Sequence, residues 1–501
     1  MESVSRPVVV GAALSALGAY VLTVSVYRIF FGPLKDIPGP WYTKISDTWL
    51  SAHSLAFHQC RAIDAVFAKY GPVVRLGPNK VGFLDADVAK TVYAKFPKDP
   101  FYLSLRMNGK DHAMTSLEPA EHIARRRGFA AHYNFDNLAI FQQSMQEFTI
   151  QVAARLTEIG GKEAVDCTEM FRHLMVDIIC ISGYDFKYGS VARWAAGKSD
   201  SLAVAISDWP KRSMIKDLVG PAIWAFLNAL PVARLRQFIA SNEILHTFAG
   251  DRVRAVRAAL ADGKLDEQDK HTLLVRLLQY KMPSGEGFTD GEMIAEVMAH
   301  TMAGTDTTST LLSYAMWALA THPEAMRKLQ AELDETMDDP GRIPETQVLS
   351  NLSYLNAVIK EVLRMYGSGP APLPRTVPKG NGTLDIQGYK IPVGTTVLTQ
   401  SWTTHRREDV YADATEFKPE RWQTETVEMR SNFFPFGLGS RVCGGQNLAM
   451  TNARIAIATL IRNFDVVAPP QTTASSMYIL EAFVSFPAAM KCDMVFVPRA
   501  Q

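Results

Sequence analysis

Near its C-terminal end the chain runs "FPFGLGSRVCGG" (434–445), with four glycines and one cysteine in twelve residues. A cysteine thiolate is a nucleophile and a metal ligand. Bound to haem iron, it pushes electron density toward O–O cleavage. Such a sulfur needs backbone N–H groups aimed at it and little side-chain bulk nearby. Gly437, Gly439, Gly444 and Gly445 allow both turns and close backbone approach. Arg441, two residues before Cys443, could pair with a haem carboxylate. The helix that follows would aim its N-terminal dipole at the sulfur. The plain alternative is a buried free cysteine in a turn.

Two other stretches carry chemistry. In "AHTMAGTDTTSTLLSYAMWAL" (299–319), Gly304 sits in a helical pattern beside Asp306, Thr307 and Thr308. A mid-helix glycine costs about 1 kcal/mol relative to alanine, so packing alone does not explain it. An acid next to an alcohol can relay protons through ordered water. The simpler reading is a threonine hydroxyl bonded to the carbonyl one turn earlier. In "KEVLRMY", Glu361 and Arg364 stand at i, i+3 on one helix face, a spacing that usually marks a solvated surface pair.

Together these residues resemble the cytochrome P-450 family of haem-thiolate monooxygenases. Phe436, Gly437, Gly439, Arg441, Cys443 and Gly445 match its haem-binding signature. Ala303, Gly304, Asp306 and Thr307 match its [AG]-G-x-[DE]-T element, in which the small residues leave room for dioxygen. The resemblance makes Glu361 and Arg364 two members of a buried structural triad, completed by Arg421 of "FKPERW". It makes His122 and Arg126 of "EHIARRRGFAAHYN", Arg375 of "PLPRTVP" and Arg441 the partners of the haem carboxylates. Of the flanking Arg125 and Arg127, one faces a reductase or both are solvated. The implied cofactor is haem b, with Cys443 as the metal ligand, and the general look is that of fungal microsomal members.

The elements that must position these residues read as mainly α with small β-sheets (α+β), the cytochrome P-450 fold. "GPVVRLGPNKVGFLD" (71–85), "TLDIQGYKIPVGTTVLTQ" (383–400) and "KCDMVFVP" (491–498) read as strands. Most of 115–370 is helical by periodicity, and "GQNLAMTNARIAIATLIRNF" reads as an amphipathic helix. From Val8 to Val26 there is no charge, enough for a membrane-crossing helix. Arg28 and Lys35 beyond it favour a cytosolic main body. The expected organisation is a tail (1–7), a transmembrane anchor (8–28), a proline-rich hinge (29–41) and one large catalytic domain (42–501). The resemblance places it on the endoplasmic reticulum membrane.

A net charge of +1 argues against an electrostatic nucleic-acid binder. The five cysteines include no C-x-x-C pair, so neither a disulfide framework nor a zinc site reads from their spacing. The expectation is a monooxygenase of secondary metabolism that inserts one oxygen atom from O2 into an apolar organic substrate. The resemblance implies electrons from a separate NADPH-dependent diflavin reductase. Residues 101–121 and 366–374 correspond to its substrate-contacting loops, and Phe101, Tyr102, Leu103, Met107 and Met114 make the first apolar. Competing readings are a haem-thiolate isomerase or dehydratase that needs no reductase, and a non-catalytic haem binder.

Overall fold

The computed structural model describes residues 6–380 and 382–500. Residues 1–5 of the expected tail, with 381 and 501, lie outside the described residues. The helices used below are α1 (Arg6–Val26), α2 (Pro119–Phe129), α3 (Cys167–Tyr184), α4 (Ser201–Ala229), α5 (Asp290–Thr321), α6 (Ser353–Tyr366) and α7 (Gln446–Asn463). The strands are β1 (Val73–Gly77), β2 (Lys80–Phe83), β3 (Val165–Asp166), β4 (Arg375–Thr376), β5 (Leu384–Ile386) and β6 (Tyr389–Ile391). They continue with β7 (Thr396–Leu398), β8 (Phe464–Val467), β9 (Ile479–Ala482), β10 (Val484–Pro487) and β11 (Asp493–Pro498). Helices dominate and the sheets are small, as expected.

One compact unit runs to Asp99 and takes in Pro372–Gln400. Its sheet has the order β1-β2-β7-β4, with a separate β5–β6 hairpin. Leu50, Ile63, Phe67, Val74, Leu76 and Leu398 pack together as its apolar core. Before the sheet lies α1, which continues as a π-helical turn over Tyr27–Phe31. The helical stretch long and apolar enough to cross a membrane runs over Val10–Phe31. The segment between helix and sheet is held by Arg75, which is 1% exposed. Its guanidinium donates to the carbonyls of Arg28 (3.1 Å), Leu34 (3.0 Å), Gly77 (3.3 Å) and Pro78 (2.9 Å). A Cβ on Gly39 would lie 2.6 Å from the Arg75 carbonyl, so only glycine fits there.

The second unit, Pro100–Ala371 with Ser401–Gln501, is built around α5. Thr289 and Glu292 start α5 with a reciprocal capping box. At ~1.5 Å per residue its 32 residues span about 48 Å. It packs against α3, α4, α6 and α7, and Val297, Leu312, Ala315, Met316 and Leu319 along it are buried. Gly220 at φ 75°, followed by Pro221, breaks α4 into two segments. The helix α7 is buried around nearly its whole circumference, with every residue from Ile455 to Ile461 inside. That differs from the amphipathic expectation, because neighbouring helices cover what a surface helix would leave to water. Strands β3, β11 and β8 form one sheet of this unit and the β9–β10 hairpin another.

Candidate haem-thiolate site

The cysteine loop leads from a short 3₁₀ turn (Gly439–Arg441) into the N-terminus of α7. Gly437 and Gly439 adopt φ of 78° and 67°, a region other residues enter at a cost. The Phe436 carbonyl accepts the Cys443 N–H at 2.8 Å, closing the loop. A Cβ on Gly444 would meet the Phe129 ring at 3.1 Å, so the loop lies directly against the end of α2. Cys443 is the exposed one of the five cysteines; the other four are buried. Its sulfur is nonetheless deep, and the crowd of protein around it pushes the thiol's pKa up. The N–H groups of Gly445 and Gln446 and the nearby Arg126 oppose that rise. The result is an accessible sulfur in crowded surroundings, faced by backbone donors. That donor set fits a thiolate ligand of haem iron.

Two of the basic residues expected around the haem carboxylates brace this loop. Arg126 donates through Nη1 to the Val442 carbonyl at 2.5 Å. Arg441 donates to the Ser116 and Leu117 carbonyls, both at 2.7 Å. His122 is buried with Nδ1 2.8 Å from the Ala113 carbonyl. Arg375 belongs to the first unit, in β4, with its guanidinium over the Tyr93 ring at 4.8 Å. Arg125 faces neither a partner nor solvent. It is buried in ion pairs with Glu121 (3.1 Å), Glu292 (2.5 Å) and Glu296 (3.5 Å), because its place on α2 turns it toward α5. Arg127 is exposed.

Midway along α5, Ala303 is exposed while Thr301, Met302, Thr305 and Asp306 are buried. This helix therefore presents an accessible position at Ala303, between buried neighbours. The side of Gly304 where a side chain would stand is turned toward α3. A Cβ there would meet Ile179 of α3 at 2.5 Å, so the room glycine leaves is filled by isoleucine. Thr307 donates its hydroxyl proton to the Ala303 carbonyl at 2.7 Å. The back-bonded alternative is thus realised, and the oxygen's lone pairs remain to accept. Asp306 is buried, with Oδ1 3.9 Å from Arg172 Nε. Burial raises its pKa, against the pull of Arg172 and Lys211.

Glu361, Arg364 and Arg421 meet in one buried network. The Glu361–Arg364 pair is fully buried and bidentate, at 2.9 and 2.8 Å. Arg421 adds a bond at 3.0 Å, and Trp422 Nε1 and the Lys418 N–H complete the carboxylate at 2.9 and 3.0 Å. Arg364 also donates to the His405 carbonyl at 2.8 Å, and His405 Nε2 accepts the Phe434 N–H at 3.0 Å. Burial lowers the His405 pKa to about 3, so the ring is neutral and able to accept. The triad thereby reaches the first residue of the cysteine loop. His405 and Trp422 carried no spacing signal that could have revealed them. Nor did the cluster of Phe129, Tyr133 and His300 beside the loop, where Tyr133 Oη lies 2.7 Å from His300 Nδ1.

The Cytochrome P-450 family profile matches residues 48–492, and the chain belongs to that family. The family carries a haem-iron cofactor, uses O2 and an organic substrate, and takes electrons from a reductase. Cytochrome P-450 monooxygenase cypX of Dothistroma septosporum is 27% identical over 497 residues, covering 96% of this chain and 94% of that protein. Cytochrome P-450 monooxygenase stcB of Emericella nidulans is 27% identical over 467 residues, covering 91% and 87%. Benzoate 4-monooxygenase bphA of Aspergillus niger is 27% identical over 483 residues, covering 90% and 92%.

Proposed function

We propose that this chain is a membrane-anchored haem-thiolate monooxygenase of secondary metabolism, loaded with haem b and reduced by an NADPH-dependent diflavin reductase. The observation that carries this reading is the Cys443 sulfur, accessible, deep, and faced by the N–H groups of Gly445 and Gln446. Cys443 holds the iron, and the two N–H groups temper the thiolate's basicity. Arg126, Arg441 and His122 lie around the cysteine loop where the haem carboxylates would be received. The bound haem supplies the activation of dioxygen and the transfer of one oxygen atom.

The remaining work falls to α5. Ala303 offers the accessible position. Thr307 has spent its own proton on the Ala303 carbonyl, so its oxygen accepts from an ordered water and holds it in place. Asp306, one residue away with a raised pKa, is the proton source behind it. The exposed apolar stretch Val10–Phe31 anchors the protein in the endoplasmic reticulum membrane, with the catalytic body on the cytosolic side. The substrate is an apolar skeleton. Relatives of similar identity are named for benzoate and for pisatin, so likeness at this level does not choose it.

The test is the reduced, carbonyl-bound spectrum of the full chain and of Cys443→His. The wild type is expected to show the Soret band of a thiolate ligand and the variant that of an imidazole, with oxygenation lost. An imidazole-type band in the wild type would remove Cys443 from the iron.

A further inference from the structure

The buried lysine Lys211, on α4, has no place in the mechanism above. It is 7% exposed. Its ammonium donates to the Ser207 carbonyl at 2.8 Å and to Ser207 Oγ at 3.3 Å, and stands 4.5 Å from the Phe486 ring centroid. No carboxylate lies within ion-pair distance of it among the described residues. A lysine this buried is ordinarily paired, because an uncompensated ammonium in a low-dielectric interior is costly.

The charges that face it do not balance it. The strongest influences on it come from Asp306, Arg172, Asp208 and Arg234, two acids and two cations. Asp208 is held by Arg234 in a bidentate pair at 2.6 Å, and Asp306 is turned toward Arg172 at 3.9 Å. Even with Asp306 ionised these four sum to zero, and the charge of Lys211 is left over. Burial lowers its pKa to about 8, which still leaves it protonated at neutral pH.

Its position is as informative as its charge. Two residues along α4, Ser213 donates to the Ser104 carbonyl at 2.7 Å, tying the helix to the Pro100–Leu105 turn. That turn meets the β9–β10 hairpin through Phe101 and Phe483, whose centroids are 6.4 Å apart. Phe486, under the ammonium, belongs to the same hairpin. Lys211 thus stands where α4, the 100–105 turn, the β9–β10 hairpin and the Asp306 level of α5 converge.

Resting on the monooxygenase reading, we infer that Lys211 is a specificity-determining residue whose ammonium binds the carboxylate of an otherwise apolar acidic substrate. The carboxylate supplies the missing charge, Ser207 steadies the lysine, and Phe486 with Phe101 and Phe483 covers apolar carbons. One end of the substrate is then fixed, which fixes the carbon presented to the accessible position at Ala303 of α5.

The experiment uses full-length, haem-loaded protein in detergent. Benzoate, cinnamate and dodecanoate are each titrated against their methyl esters, with the substrate-induced change in the haem spectrum as readout. In the wild type at least one acid is expected to bind about ten-fold or more tighter than its ester. Lys211→Met should bring that ratio to about two-fold or less, and Lys211→Arg should retain most of it. Without any ligand, Lys211→Met should raise the thermal midpoint by about 2 °C or more, because it removes an unpaired buried charge. Acids that bind no tighter than their esters, or that produce no change at all, overturn the inference. So does a lower midpoint in Lys211→Met, which would make the lysine a structural partner of Asp306. A wild type lacking the thiolate-type Soret band would instead refute the monooxygenase reading.

Discussion

Gly304 gives the sharpest test of how α5 is packed. In an isolated helix, Gly304→Ala would gain about 1 kcal/mol. Here the new methyl would lie 2.5 Å from Ile179 Cδ1 and 3.2 Å from its Cγ1. Carbon atoms pack best at about 3.5–4.0 Å, so Ile179 must retreat by roughly 1 Å at its tip. It is 4% exposed, on a helix packed against α5, and has little room to do so. Overpacking of this kind costs about 1–3 kcal/mol, so the substitution is expected to destabilise by about 1 kcal/mol net. Ile179→Val removes the atom at 2.5 Å and costs about 0.5–1.5 kcal/mol by itself. In that background Gly304→Ala should reverse sign and stabilise by about 0.5 kcal/mol. The coupling is then about 1–2 kcal/mol, read from a double-mutant cycle of urea midpoints followed by far-UV circular dichroism. If Gly304→Ala has the same effect in both backgrounds, Ile179 is not what the glycine accommodates.

Three further outcomes follow from the same geometry. Under the proposed relay, Thr307→Ala removes the oxygen that would hold its water, so NADPH should still be consumed while product per NADPH falls several-fold. Thr308→Ala, about 100° around the helix and buried, should change that ratio little. Glu361→Gln leaves two guanidinium groups facing a neutral amide in a fully buried site, costing about 3–5 kcal/mol and lowering haem retention on a desalting column. A loss under about 1 kcal/mol would show that the triad is not a closed unit. Finally, burial holds His132 at about 4 and His300 and His405 at about 3, so these rings stay neutral in the fold while the unfolded chain protonates them below about 6.5. Stability must therefore fall as pH drops from 6.5, by about 2 kcal/mol per ring at pH 5. Glu296, raised to about 7 by burial, works the other way and recovers about 2 kcal/mol between pH 7 and 5. A thermal midpoint that does not fall between pH 7 and 5 would contradict the burial of these rings.

What could be read from the sequence was what one element carries by itself. The cysteine loop is legible because its turn demands glycine at 437 and 439, and glycine in such numbers is visible. The Glu361–Arg364 pair is legible as a pair, since i, i+3 spacing already puts both on one face. Its completion by Trp422, and its link to the loop through His405, depend on chain segments that meet only in the fold. Thr307 shows the limit from the other side. Both readings of its hydroxyl were available, and the structure shows the proton going to Ala303 while the oxygen stays free to accept. Arg125 and Lys211 look like surface cations in the sequence, and only tertiary packing reveals them as buried. Gly304 was legible as an anomaly, but the reason for it sits on α3, more than a hundred residues earlier.

The clasp formed by Arg75 has a mechanical consequence. A peptide tether would let the sheet swivel freely beneath its lipid anchor. Here four carbonyls, one before the proline-rich segment, one within it and two after it, are gathered on one buried guanidinium. With α1 seated in a bilayer as proposed, the first unit rides on it as a boom rides on a mast. Any lean the helix takes to match a thinner or thicker membrane is passed on to that sheet as a rotation. Lipid thickness would then set which face of the first unit is turned toward the membrane surface, with no change in any contact inside it.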